Sequence, residues 1–104
     1  MTDVDYPILE RYMRNYHSMV DIYKNKSHDM DELQYMNLES IVKGITAVYN
    51  NSDVKVQQII KLTWWDDNNF TDSVIADVID VSQLTLRHAR EVILKRVAKA
   101  VDYV

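Results

Sequence analysis

The sequence contains no cysteine. A disulfide framework, a thiolate zinc site and a cysteine nucleophile are therefore excluded. Glycine occurs once, at Gly44, and proline once, at Pro7. Strand-rich domains need turn residues about every ten positions, so a sheet protein is excluded. A Gly-rich phosphate loop is excluded by the same count. Apolar runs reach only three residues, as in Val92-Ile93-Leu94. No membrane span or signal peptide can be drawn from them, and the chain reads as cytosolic with no membrane partner.

What is present suits one helical domain. The 104 residues are 47% apolar and 27% charged, an ordinary globular composition. The length gives a single domain with a real core, or a domain plus a helical arm. The few punctuating residues are Asn, Asp and Ser, so the pattern predicts an all-α fold of about five helices.

The net charge is −4, yet it is unevenly spread. Residues 1–81 hold 7 basic and 14 acidic groups. Residues 82–101 carry Arg87, Arg90, Lys95, Arg96 and Lys99 against Glu91 alone, with His88 among them. An acidic body thus bears one basic helix. The overall sign argues against nucleic-acid binding, but the local basic stripe is the footprint such binding uses.

Apolar spacing places the elements. Asp5 caps a helix with Pro7 in its first turn. Ile8, Leu9, Tyr12, Met13, Tyr16, Met19, Val20 and Tyr23 then recur at helical spacing over about five turns. The polar segment Lys24–Glu32 reads as a linker. A second helix runs from Leu33 or Asn37 to Tyr49, with Gly44 inside it as a weak point or a point of close approach. A third runs from Val54 to about Trp65. Residues 1–36 are thus expected as an N-terminal helical arm, a candidate dimerising element, and residues 37–104 as the main domain. The Tyr/Met stripe of the arm fits core or a dimer interface.

The end of the chain carries the functional pattern. Thr71 caps a short helix to Ile79, with Asp72 suiting its dipole. Asp80-Val81-Ser82 is a break, and Ser82 caps a last helix from Gln83 to about Val101. This is a helix-turn-helix layout, in which a first helix braces the backbone and a second enters the major groove. Ile75, Ala76, Ile79, Val81, Leu86 and Ala89 are expected inward, followed by Ile93, Val97, Ala100 and Val101 with Val92 alongside. Gln83, Thr85, Arg87, His88 and Arg90 are expected outward. Arg and Gln suit guanine and adenine edges, and Thr a thymine methyl. Lys95, Arg96 and Lys99 lie where phosphates are met.

The stretch FTDSVIADVIDVSQLTLRHAREVILKRVAK, from Phe70 to Lys99, resembles the C-terminal segment of phage transcriptional regulators of the RinA/ArpU type, which resemble sigma-factor region 4. The shared pattern is a Thr cap, an apolar-Ala pair in the short helix, apolar-Ser at the turn, and Thr-apolar opening a long basic helix. The preceding IIKLTWW fits the same layout, and the resemblance covers residues 38–101. It implies a DNA-binding activator of phage late or packaging genes, acting in the host cytoplasm on double-stranded DNA. It also implies Ser82, Gln83, Thr85, Arg87, His88 and Arg90 as DNA-facing residues. Two features depart from the pattern: the acidic total, and Val74 and Val78 on the outer side of the short helix, an apolar strip that suits a protein contact.

Other features have plainer readings. Trp64 and Trp65 cannot both point inward from one helix; one of the two is expected in the core, and the other is a candidate for exposure near DNA or a partner. His17, His28 and His88 share no metal-ligand spacing. Asp66-Asp67-Asn68-Asn69 lacks the Gly and closing Glu of a calcium loop and reads as a turn. Asp29, Asp31 and Glu32 read as a solvated cluster. No cofactor or metal site is expected, and no nucleophile context suggests an enzyme. A dimer on paired half-sites is expected, since a lone module seldom reaches useful specificity. Two alternatives stay open: a small terminase-like DNA-binding subunit, and a protein-interaction module contacting RNA polymerase or another regulator.

Overall fold

Polar caps start nearly every helix. The computed structural model describes residues 5–25 and 30–101, and it places six α-helices there with no strand among the described residues. α1 spans Tyr6–Arg14, α2 Tyr16–Lys24, α3 Glu32–Asn50, α4 Val54–Ile60, α5 Asp72–Ile79 and α6 Gln83–Ala100. The Ile8 N–H donates to Asp5, and the Val56 N–H to Asp53. Asp31 and Gln34 form a reciprocal capping box at α3. Each such cap stabilises its helix by about 1 kcal/mol. The linker cluster loses Glu32 to α3, while His28 and Asp29 lie outside the described residues.

The single N-terminal helix expected after the Asp5 cap is broken at Asn15, which is why there are six helices rather than five. α1 packs on α6 and α2 packs on α3. One straight rod cannot follow both surfaces. The Met13 carbonyl, next to the break, accepts a hydrogen bond from Trp65 Nε1 at 3.0 Å. A side chain taking a helix carbonyl in this way is a recognised cause of a kink.

α1 does not stand apart from the domain. Leu9 and Met13 are 0% exposed and share one core with Ile45, Ile60, Ile75, Leu86, Ile93 and Val97. Tyr12, Tyr16 and Met19 pack against the same core. The boundary expected at residue 37 falls inside α3. The exposed apolar residues of this half are instead Ile22, Leu33 and Met36.

α4 continues into a π-helical turn, Lys61–Trp65. Neighbouring side chains on a regular helix diverge by about 100°, so the two tryptophans face different surroundings. Trp64 is buried in the core. Trp65 is half-buried, stacked on Tyr16 and tilted against Tyr49. Its ring and its N–H are both occupied, so it is a structural seam against α1, α2 and α3 rather than a spare residue.

α6 is the central strut, in contact with α1, α3, α4 and α5. Its buried stripe is wider than its periodicity suggested. Leu94 and Ala98 are buried beside Leu86, Ile93, Val97 and Val101, whereas Val92 and Ala100 are exposed. A helix enclosed by four others needs a broad apolar face. No helix among the described residues is long and apolar enough to cross a membrane.

α2 is tied to α3 by a polar pair. The Tyr23 hydroxyl donates to Glu39 at 2.8 Å, and its ring stacks on Tyr35. The hydrogen bond to the Glu39 carboxylate, with smaller help from desolvation and the Glu39 charge, pushes the Tyr23 phenol from its ordinary 10.0 up to about 12. A raised phenol means that the folded state holds its proton longer than the unfolded state. This contribution is fully present below about pH 10 and is lost as pH rises to about 12. An alkaline absorbance titration should show one late phenolate step. Tyr23→Phe should remove that step, and Glu39→Gln should move it back toward the ordinary range.

Candidate nucleic-acid interface

The candidate surface is built by α5, the residues Asp80-Val81-Ser82 and α6. Thr71 caps α5 by accepting from the Val74 N–H at 3.3 Å. Ile75, Ala76 and Ile79 are buried beneath it, as their spacing predicts. α5 ends at Asp80, whose φ of 58° is left-handed. Asp tolerates that region better than most residues. The Val81 N–H then reaches back to the Ala76 carbonyl at 2.9 Å, closing the helix end. Val81 packs against the core and fixes where α6 begins.

Ser82 and Thr85 form the start of α6. The Thr85 N–H donates to Ser82 Oγ at 3.1 Å, and the Ser82 hydroxyl donates to Thr85 Oγ1 at 2.9 Å. Both residues are exposed, but their hydroxyls serve each other and the helix end. Gln83, Arg87, His88, Lys95, Arg96 and Lys99 are exposed as expected. At 100° per residue, Leu84, His88, Lys95 and Lys99 lie opposite the buried Leu86–Ile93–Val97 side. Exposed Leu84 was not anticipated. It lies one turn before His88, and its outward direction was readable from the period.

Arg90 is the correction. It was expected outward with Arg87, but its side chain is only 16% exposed against 63% for Arg87. Arg90 Nη1 meets Asp72 Oδ1 at 2.8 Å, and Arg90 Nε donates to Thr63 Oγ1 at 3.2 Å. The guanidinium thus ties α6 to the start of α5 and to the π turn. The physical reason is its position, one turn after Leu86 and one turn before Ile93, on the flank of the buried stripe. Beside it lies a polar cleft of about 180 Å³, lined also by Glu10 and Arg14 of α1. Arg87 approaches the second oxygen of Asp72, with Nε at 3.9 Å.

The outer face of α5 is apolar and acidic. Val74 is 42% and Val78 62% exposed, with Asp77 between them. The Asp66–Asn69 segment is a turn, with the Asn68 N–H and side-chain amide both donating to Asp66 Oδ1 at 2.8 Å. His17 sits edge-on to Trp65. No group of three or more His, Cys, Asp or Glu that could hold a metal occurs among the described residues.

Comparison with known protein families, with curated proteins and with solved structures finds nothing that matches this chain.

Proposed function

We propose that the chain is a sequence-specific double-stranded DNA-binding regulator, with α5 and α6 acting as a helix-turn-helix. The observation that carries this reading is the exposed, cation-rich face of α6 directly after a three-residue turn. Five of its six charged residues are basic, while the rest of the body is acidic. Gln83, Thr85, Arg87 and His88 would meet base edges from the first two turns of α6. The Thr85 methyl and Leu84 suit thymine methyls. Lys95, Arg96 and Lys99 would supply phosphate attraction. Arg90 is left out of the reading set, because its guanidinium is spent on Asp72 and Thr63. The resemblance to RinA/ArpU-type regulators extends the proposal to a phage late-gene activator. A second copy is part of the proposal, because two half-sites supply the specificity one module lacks.

A second reading is favoured by one feature, the exposed Val74/Val78 strip with Asp77. It makes α5 a contact for another protein, such as RNA polymerase.

Salt-dependent binding to duplex DNA separates the two. The probes are the fragment flanking the protein's own gene and a random duplex of equal length. The first reading expects preference for the flanking fragment and a log-log salt slope of about −3 per copy from the three phosphate-facing cations Lys95, Arg96 and Lys99. Arg87→Ala should remove most of the preference without moving the denaturation midpoint. A folded protein that binds neither duplex at low salt refutes direct DNA recognition. Loss of function in Val78→Asp, with Arg87→Ala unaffected, establishes the protein contact instead.

A further inference from the structure

α3 carries a second pattern besides its core face. Leu33, Met36, Ser40, Lys43 and Ala47 are all exposed. They are spaced 3, 4, 3 and 4 residues apart, and at 100° per residue they share a sector of about 80°. This is the spacing of a two-helix seam. The other faces of α3 are taken by α2, α4 and α6.

Side-chain size is graded along the seam. Leu33 is 68% and Met36 56% exposed at its start. Ala47, near its end, stands between two open clefts. One, of about 450 Å³, is bordered by Ala47, Asn51, and Arg96 and Ala100 of α6. The other, of about 480 Å³, is bordered by Ala47, Lys43, Thr46, and Val20 of α2. Leu33 lies on the side of Gly44, which abuts α6, and Met36 on the side of Glu39, which bonds to α2.

These features complement each other in a second copy. Positions 33 and 47 are symmetric about Ser40. Two antiparallel copies of α3 crossing at Ser40 therefore set Leu33 of each against Ala47 of the other, and Met36 level with Gly44. A two-fold axis across the seam keeps the α6 sides together and the α2 sides together, so Leu33 meets the first cleft and Met36 the second. Large residues then fill the space beside small ones, as a close-packed contact requires. A parallel pair would instead oppose Lys43 to Lys43 and leave the clefts empty. Charge favours the same occupant. Lys43 pairs with its own Glu39 at 3.6 Å, in an exposed contact. In the antiparallel register Lys43 stands about 3 Å along the axis from Glu39 of the other copy, against about 6 Å from its own. Opposite charges thus alternate around the crossing.

We infer that α3 is a self-association surface: two copies pack α3 antiparallel across Ser40, with Leu33 and Met36 of each seated in the clefts beside Ala47 of the other. The inference rests on the DNA-binding reading for the need of a second copy, not for any DNA contact. The clefts reach α6 only near its C-terminal end, so Gln83 to His88 stay uncovered.

Sedimentation equilibrium of the full chain without DNA tests the surface. The wild type should be a dimer at micromolar concentration. Leu33→Asp with Met36→Asp removes four apolar anchors per dimer and should weaken it at least about a hundredfold. Val74→Asp with Val78→Asp should change it less than about twofold. The register is tested by oxidation, because the chain has no cysteine of its own. Ser40→Cys should yield a disulfide-linked dimer. Ala47→Cys should not, since its two thiols would be held about 21 Å apart. The cysteine variants decide the matter should the aspartate pair fold poorly. A wild type that stays monomeric overturns the inference. So does a dimer indifferent to the Leu33/Met36 pair, or one that Ala47→Cys links as readily as Ser40→Cys. Binding of the flanking duplex by a monomeric chain overturns the inference alone. A dimer held through α3 that binds neither duplex supports the inference and refutes the DNA reading.

Discussion

Leu9→Ala is expected to lower the unfolding free energy by about 3.5 kcal/mol, the middle of the range for a fully buried leucine. A chain lacking residues 1–36 is expected not to fold cooperatively. Leu9 is completely buried, in the same cluster as Ile93 and Val97 of α6. Its removal deletes contacts at the centre of the domain, and the cavity left behind adds to the transfer cost. Domains of this size are stable by only about 5–15 kcal/mol, so a single such loss is large. Truncation removes Leu9, Met13, Tyr16 and the start of α3 together, and it uncovers the face of α6 beneath them.

Urea denaturation at several protein concentrations provides the check. α1 packs on its own chain, so the Leu9→Ala loss should be the same at every concentration. A Leu9→Ala loss that grows or shrinks with concentration would mean that α1 docks on a second copy instead. A truncated chain that still unfolds in one sharp transition would restore the view of residues 1–36 as a detachable arm. The surface left for a second copy would then be reconsidered from Ile22, Leu33 and Met36, the residues this half exposes.

What the sequence made legible was local. Asp5, Thr71 and Ser82 were readable as caps because a cap bond spans three residues. Ile75, Ala76, Ile79 and Leu86 were readable as buried because the helical period sorts faces without knowledge of the partner. The break at Asn15 was not legible. The apolar stripe stays in phase across it, and its cause is a turn of chain from α6 toward α3 that no local pattern records.

Long-range partners were equally invisible. Arg90 carries the same chemistry as Arg87 three positions earlier, and only the placement of Asp72 and Thr63, 18 and 27 residues away, separates anchor from exposed cation. Trp65 was ambiguous for the same reason, because its hydrogen-bond acceptor lies 52 residues earlier at Met13. The distribution of charge along α6 was plain from composition. Which of those charges are free to meet a ligand is a property of the packed helices.

Gly44→Ala is expected to cost about 2 kcal/mol, although the same change raises helix propensity. Gly44 is the only glycine of the chain and lies in the interior of α3. Its backbone is ordinary, since no glycine here has a positive φ, so conformational freedom does not explain it. Close approach does. A Cβ built there would sit 2.6 Å from Val101 Cγ1 and 2.9 Å from both the carbonyl carbon and the oxygen of Ala100. The Val101 methyl can rotate away, but the Ala100 backbone moves only with the last turn of α6. Propensity favours Ala by about 1 kcal/mol, while overpacking a tight contact costs about 1–3 kcal/mol and more when backbone must shift. The packing cost therefore wins. Adding Val101→Ala relieves the shortest contact and leaves the two backbone contacts, so the double variant should recover less than half of the loss. Ser40→Ala, exposed on the same helix, should be neutral or slightly stabilising and reports propensity alone. If Gly44→Ala instead gains about 1 kcal/mol, α6 does not end against α3, and the strut that presents Arg87 and the lysines is held by α1, α4 and α5 alone.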